Sequence, residues 1–501
     1  MKTPAAEIWK KYTDAETFSR IKDMDSVSQM WDMCQKEYAG LTAITDMGNT
    51  YTYSRIEDDA ARLRTVFSDL EAGDRVGIYI PNSYSFVRTF IAVTTLGLTA
   101  VILPPQLPED AVCGCVMGFG IKSLVYDPAL EGNTKKAMAA AASCRFVSSD
   151  DLPDGHMPAK DVAGDAPCVI MFTGGTTGKS KGVELSNAAV MQGTVNGCYG
   201  YEKVFGQRYL LILPLSHVFG LIRNLMTSLY TGSDMCICRD NKDMFKDCAA
   251  FKPTILVMVP ALAEIALNLS AKLNRNMLGD DVKTIICGAA PVAPYLVEAY
   301  DKKGIALLPG YGLTESANLV SGNPDSVNRS DSVGLMFPNQ EYRLEDGELW
   351  LKGRNMLDCY IGDPQKDSFC DGWFRTGDLA KVDEDGFLYI TGRIKEVIVL
   401  PSGENVSPAE VEAHFNALDF VQDSQVFEDV NDQGKTILSL EIVPRLTVLA
   451  GIEEEDKNSY MTAELEKVNR NLPGYCQVSK IVIRDQDFER SPSMKIVRYK
   501  K

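Results

Sequence analysis

Short apolar runs alternate with longer amphipathic ones along most of this chain. Val76 to Ile80 has the continuous apolar character of a buried strand, and Ser83 to Leu96 the spacing of a helix. Tyr209 to Leu213 and Thr254 to Val259 read as two further strands. The second is followed by a helix opening at Pro260, where the missing N–H costs nothing. Ile285 to Cys287 and Ile305 to Leu308 are again short and apolar. Strands separated by helical segments predict layered α/β structure with parallel pairing.

The pattern changes near residue 345. Gly347 to Lys352 and Phe387 to Ile390 read as antiparallel strands, the second preceded by an Asp383-Glu384-Asp385-Gly386 turn. After a polar break at Gly392-Arg393-Ile394-Lys395-Glu396 a small α+β unit follows. Ser407-Pro408-Ala409-Glu410 has the form of a capping box with proline at the first helical position, and its helix runs to about Leu418. Strands near Gln425, Ile437 and Ile481 and a helix from about Ser459 complete the unit. The expected division is 1–392 and 393–501.

A length of 501 residues permits more than one core. The formal net charge of −17 argues against a nucleic-acid or anionic-membrane binder, because both need a basic face. No stretch is long and apolar enough to span a bilayer; 255 to 269, the nearest, contains Pro260 and Glu264. The first eleven residues are polar and do not resemble a signal peptide. Among the 13 cysteines there is no C-x-x-C. Cys113/Cys115 and Cys236/Cys238 lack nearby histidines, so they read as strand or core thiols and not zinc ligands. Free thiols fit a reducing, cytoplasmic location.

Chemistry concentrates first in Phe172-Thr173-Gly174-Gly175-Thr176-Thr177-Gly178-Lys179-Ser180-Lys181-Gly182. Glycines let the backbone approach a ligand closely, successive N–H groups form an anion nest, and hydroxyls and lysines add donors and charge. A flexible Gly-rich linker would need neither the apolar Cys168 to Met171 run before it nor paired lysines. A Walker-type phosphate loop requires glycine where Thr173 stands, so that reading fails while phosphate binding survives.

Further strings sit at expected strand ends, where α/β folds place ligands. Leu213-Pro214-Leu215-Ser216-His217-Val218-Phe219-Gly220 contains one of three histidines, either a structural residue or part of a pocket wall. Cys287-Gly288-Ala289-Ala290-Pro291 offers small residues for a ring or acyl chain, or makes a plain tight turn. Gly310-Tyr311-Gly312-Leu313-Thr314-Glu315-Ser316 supplies a ring for stacking, a hydroxyl for phosphate and a carboxylate for Mg2+. The carboxylate in Trp373-Phe374-Arg375-Thr376-Gly377-Asp378 suits two ribose hydroxyls, or caps a turn. Lys495, in Ser491-Pro492-Ser493-Met494-Lys495-Ile496-Val497-Arg498, is in isolation a solvated charge.

In this order the strings resemble the adenylate-forming superfamily of acyl- and aryl-CoA synthetases, nonribosomal-peptide adenylation domains and beetle luciferases. The resemblance runs from Tyr51-Thr52-Tyr53 to Arg498. It implies a large layered N-terminal part with parallel sheets and a small β-barrel, and a mobile α+β C-terminal lid. It also implies two half-reactions: a carboxylate attacks the α-phosphate of Mg·ATP, and a thiol, usually of coenzyme A, then displaces AMP.

The resemblance assigns roles by position. Thr173, Gly174, Gly175, Thr176, Thr177, Gly178, Lys179 and Lys181 belong to the loop gripping the β- and γ-phosphates. Tyr311 matches the adenine-stacking ring, with Ala289 and Ala290 where the base meets the backbone. Thr314 matches the α-phosphate contact, Glu315 the Mg2+ ligand, and Asp378 with Arg393 the ribose clamp. His217 matches the histidine beside the carboxylate, Lys395 the hinge, and Lys495 the lysine bridging carboxylate and α-phosphate. Phe219, Gly220, Cys287, Gly288 and Ala317 fall at the acyl pocket, with the stretch from Ala317 to Leu319 along its wall. Ser180 replaces a common proline and Met494 a common glycine. The ending is similar to that of long-chain fatty acyl-CoA synthetases. The implied function is an acid–CoA ligase for a hydrophobic carboxylate; a ligase charging a separate carrier protein is the alternative. A P-loop kinase and a silent binding relative are disfavoured by Thr173 and by the retained Glu315, Asp378 and Lys495.

Overall fold

The computed structural model describes residues 5–173, 181–200, 203–361, 368–400, 404–431, 436–446, 448–490 and 496–498. Ile255–Met258 shows why the centre of the larger part is a parallel sheet. All four of its residues are buried, so neither face can meet water, and helices must cover both. It pairs in parallel with Thr284–Cys287 on one side and Arg208–Leu211 on the other. Among the described residues these belong to a nine-stranded sheet, which also contains Ala306–Leu313, the antiparallel strand Asn318–Gly322 beside it, and the edge strands Leu335–Met336 and Asn49–Thr52.

A second, seven-stranded sheet is built around Arg75–Tyr79 and Thr99–Ile102. The antiparallel pair Pro167–Thr173 and Lys181–Ser186 lies toward one of its edges. Helix Tyr84–Thr94 begins at Ser83, whose hydroxyl accepts from the Phe86 N–H, and is buried almost throughout. Side chains from both sheets share one continuous core.

Beyond residue 340 comes a five-stranded antiparallel sheet, where the sequence predicts antiparallel strands. It includes Glu348–Lys352, Trp373–Val382 and Leu388–Arg393. The chain then builds a separate core from Ile398, Phe415, Leu440, Leu465 and their neighbours. Here Val421–Val430, Thr436–Pro444 and Lys480–Ile483 form a sheet packed with helices Pro408–Asn416 and Glu454–Asn471. The expected fold class is therefore present: mixed α/β with parallel sheets, a large N-terminal domain and a smaller C-terminal one.

Some local expectations are corrected. Ser407 does not close a capping box; its hydroxyl donates to the Thr391 carbonyl at 2.8 Å, tying the new helix back to the preceding strand. The last helix starts at Glu454, not near Ser459, and Glu454, Glu455 and Asp456 in its first turn complement the helix dipole. Of the two alternatives for Cys113 and Cys115, strand or core thiols, the second holds: both lie on helix Glu109–Gly118 and pack in a core cluster. All thirteen cysteines are unpaired.

Candidate active site

Three parallel strands deliver the site. Ile255–Met258, Thr284–Cys287 and Ala306–Leu313 finish side by side, so the segments that follow them gather at one end of the sheet. The sequence sets Tyr311 just after the strand 305–308. Instead it extends the strand, because Asn318–Gly322 folds back and pairs Tyr311 with Ser321. Gly312 makes the return possible: a Cβ there would meet the Asn318 carbonyl oxygen at 2.2 Å.

The Tyr311 hydroxyl donates to Asp378 Oδ2 at 2.5 Å, and Arg393 Nε lies 2.8 Å from Asp378 Oδ1. Strands Trp373–Val382 and Leu388–Arg393 hold Asp378 opposite Arg393 in register. The Asp378 N–H donates to Thr376 Oγ1, whose own hydroxyl donates to the Leu349 carbonyl. Asp378 is 1 % exposed. Burial, reinforced by the carboxylate of Asp378, drives the Tyr311 phenol well above its ordinary pKa. Burial opposes the Arg393 charge, but Asp378 and Glu396 outweigh it and raise its pKa.

Thr314 and Glu315 open a single 3-10 turn, Thr314–Ser316. Ser316 Oγ accepts from the Leu313 N–H and donates to the Asn318 carbonyl, and Asn355 Nδ2 donates to the Ser316 carbonyl. The Glu315 carbonyl accepts from the Leu357 N–H, and Glu315 Oε1 accepts from the Tyr360 hydroxyl at 2.8 Å. Lys181 Nζ lies 5.3 Å from the centre of the Tyr360 ring. Tyr360 thus joins the end of the glycine-rich segment to the carboxylate. Sequence reasoning missed it, since nothing near Cys359-Tyr360-Ile361 marks a site.

A third group surrounds Gly288. A Cβ on it would meet the Gly310 carbonyl at 3.1 Å and the Phe219 ring at 3.3 Å, so bare backbone and an aromatic edge form this wall. Ala289 adopts φ 66°, which turns the chain away from the strand. Ala290 follows it half-buried. Cys287 is fully buried beside Tyr300, on the sheet face opposite Gly288. Ala317, at φ 52°, has its carbonyl 2.3 Å from where a Gly193 Cβ would stand. Gly220 faces the Pro214 carbonyl, which would lie 2.2 Å from its Cβ, so it packs against the preceding loop.

That loop is fixed by Asn82, which donates to the Leu213 carbonyl at 2.9 Å and accepts from the Leu215 N–H at 2.8 Å. It places His217, half-buried, just ahead of the π-helical segment Phe219–Met226. Lys395 lies in the 3-10 turn Ile394–Glu396, directly after the Arg393 strand. Thr173 ends strand Pro167–Thr173, its Cα opposite that of Lys181. Gly174, Gly175, Thr176, Thr177, Gly178, Lys179 and Lys495 lie outside the described residues.

Among the described residues no group of three or more His, Cys, Asp or Glu forms a metal cage. Glu315, one carboxylate anchored through a single oxygen, has the chemistry of a ligand to Mg2+ whose other ligands are phosphate oxygens and water.

A family model described as AMP-binding enzyme matches residues 31–361, and one for the AMP-binding enzyme C-terminal domain matches 395–501. The chain is 27% identical over 522 residues to 4-coumarate--CoA ligase-like 6 of Arabidopsis thaliana, covering 95% of this chain and 89% of the relative. It is 28% identical over 391 residues to the long-chain-fatty-acid--CoA ligase FadD13 of Mycobacterium tuberculosis, covering 72% and 77%. The crystal structure of an anthranilate CoA ligase in complex with anthranoyl-AMP superposes with a TM-score of 0.83 at 18% identity, covering 95% and 96%. That last likeness bears on fold.

Proposed function

The chain belongs to the AMP-binding enzyme family, and from that premise we propose that it is an ATP-dependent acid–CoA ligase. It joins a carboxylate with an apolar body, fatty or aryl, to ATP as an acyl adenylate, releasing pyrophosphate. Coenzyme A then displaces AMP to give the thioester. The observation that carries this reading is the linked cluster of Tyr311, Asp378 and Arg393 beside the pinned turn holding Thr314 and Glu315.

In this reading Tyr311 stacks on the adenine while its hydroxyl steadies Asp378. Asp378 and Arg393 take the ribose hydroxyls, and Ala289 and Ala290 present backbone to the base edge. Thr314 donates to the α-phosphate. Residues 173 to 181 hold the outer phosphates. Glu315 holds Mg2+, which supplies charge neutralisation on the phosphates. Phe219 and Gly288 border the acid, and His217 sits beside its carboxylate.

Attack by one anion on another is slow because charge resists approach, so the protein contributes mainly positioning and neutralisation. Lys495 bridges the incoming carboxylate and the α-phosphate. It lies in the C-terminal domain, which we place at 393–501 with Lys395 as the hinge. Rotation there withdraws Lys495 after the first step and admits the thiol. Unpaired cysteines support a reducing, cytoplasmic setting.

The test is product analysis with ATP, Mg2+ and a panel of fatty and aryl acids, offering either coenzyme A or a holo-carrier protein. Acyl-CoA and AMP are the expected products. Thioester on the carrier alone would reassign the acceptor.

A further inference from the structure

We propose that the acid activated here carries an oxygen acceptor, a carbonyl or carboxylate, at the end remote from its reacting carboxyl, and that Arg223 reads it. This rests on the ligase reading above and concerns the far end of the same pocket.

Arg223 lies four residues beyond Phe219 in the π-helical segment Phe219–Met226. Such wide turns are rare and are frequently found at functional sites. The Phe219 ring stands over Gly288, and Arg223 follows about one turn later in the same segment. Ile286 and Leu308 are Cα partners in adjacent strands. Each lies two residues before Gly288 or Gly310, on the same face, or about 7 Å further from the reacting end. Arg223, Ile286, Leu308 and Leu319 line one slot there, and Trp9 and Phe337 close it. Leu319 also lies against Gly288 and Gly310, so one side chain borders both the slot and the acid wall.

The slot has the dimensions of an end stop. Its free volume is about 20 Å³, close to the room one water needs. The Trp9 indole N–H donates to the Met336 carbonyl at 2.8 Å, and its ring stacks on Phe337 at 5.1 Å, so the floor is held in place. A chain that reaches this point ends here, and its last group meets a guanidinium.

Arg223 is 1 % exposed. Burial pushes its pKa down to about 10, which leaves it a cation at neutral pH. Arg223 keeps a contact within the fold, and its five N–H donors allow it to serve a ligand as well. A methyl end offers the guanidinium no acceptor. An oxygen end supplies a charge-assisted bond, and a site built to bond a substrate oxygen discriminates strongly against the analogue lacking it.

The experiment measures kcat/KM for acid-dependent ATP–pyrophosphate exchange with acids matched in length and ending in methyl, ketone or carboxylate. The wild-type protein is expected to favour an oxygen-ended acid at least tenfold over its methyl-ended partner. Arg223→Met is expected to remove that preference through KM, with methyl-ended acids unchanged or improved, and Arg223→Lys to keep part of it. If Arg223→Met fails to fold by circular dichroism, the wild-type panel decides alone. Preference for methyl-ended acids at every length overturns the inference while leaving the ligase reading intact. Exchange with no acid at all sinks the ligase reading instead.

Discussion

The Tyr360 hydroxyl donates to Glu315 Oε1 at 2.8 Å while the Tyr360 ring lies under Lys181, whose Nζ is 5.3 Å from the ring centre. One side chain therefore orients both a candidate Mg2+ ligand and the last lysine of the glycine-rich segment. Tyr360→Phe keeps the ring and loses the bond to Glu315. A hydrogen bond to a charged group contributes about 1.5–3 kcal/mol. The variant is expected to raise KM for Mg·ATP roughly tenfold or more, with little change in the KM for the acid. Steady-state kinetics with each substrate varied checks this.

Asp378 receives both Tyr311 and Arg393. Asp378→Ala leaves the Tyr311 hydroxyl without its acceptor and a cation without its partner. It is expected to weaken ATP binding by roughly tenfold to a hundredfold, and Asp378→Asn by less. Calorimetric titration with a non-hydrolysable ATP analogue checks the order. Equal affinity in both variants would separate Asp378 from the nucleotide.

Lys495→Ala is expected to lower adenylate formation by at least ~10²–10³, the loss typical of one donor at a developing anion. Thioester synthesis from supplied acyl adenylate and coenzyme A is expected to be largely spared. Single-turnover assays of the two half-reactions check this, and equal loss of both would remove Lys495 from its assigned role.

How far the site was legible in the sequence depends on chain distance. The strands before Gly288 and Tyr311 and the helix at Pro260 were readable because buried parallel strands are short, apolar and bounded by glycine or proline. The continuation of the strand through Tyr311 was hidden, since it depends on pairing with residues 318–322 across a bulge. Tyr360 and Asn82 were hidden for the same reason: each acts on residues far away in sequence. Ser407 shows the reverse case, where a local capping pattern loses to a tertiary acceptor, the Thr391 carbonyl.

The C-terminal domain docks through Arg445. Its guanidinium lies 3.7 Å from the centre of the Tyr295 ring, and its Nε is 3.2 Å from Glu264 Oε1. Both carboxylate and guanidinium are largely buried. Arg445→Ala strands Glu264 and is expected to change the two half-reaction rates unequally, because it loosens one pose of the domain and not the chemistry. Limited proteolysis near residue 395 is expected to accelerate. Identical changes in both rates would contradict a docking role.

Asp423 provides a pH test. Burial raises its carboxyl to about 6, despite the opposing charge of Arg490, and Glu264 adds to the rise. Its unfolded value lies near ~3.9. The folded state therefore holds the proton more tightly, and this group's contribution is fullest below about pH 4 and fades as pH climbs through about 6. Asp423→Asn keeps a neutral side chain throughout. The Tm of the variant relative to wild type is expected to rise between about pH 4 and about pH 6 and then level off; a flat difference would contradict the assignment.

The central claim is that this protein joins a carboxylate to AMP. Exchange of labelled pyrophosphate into ATP, measured with and without added acid, tests it most directly. The account predicts exchange that requires both Mg2+ and an acid and falls to background in Lys495→Ala. Release of phosphate from ATP without AMP, indifferent to any acid, would contradict it.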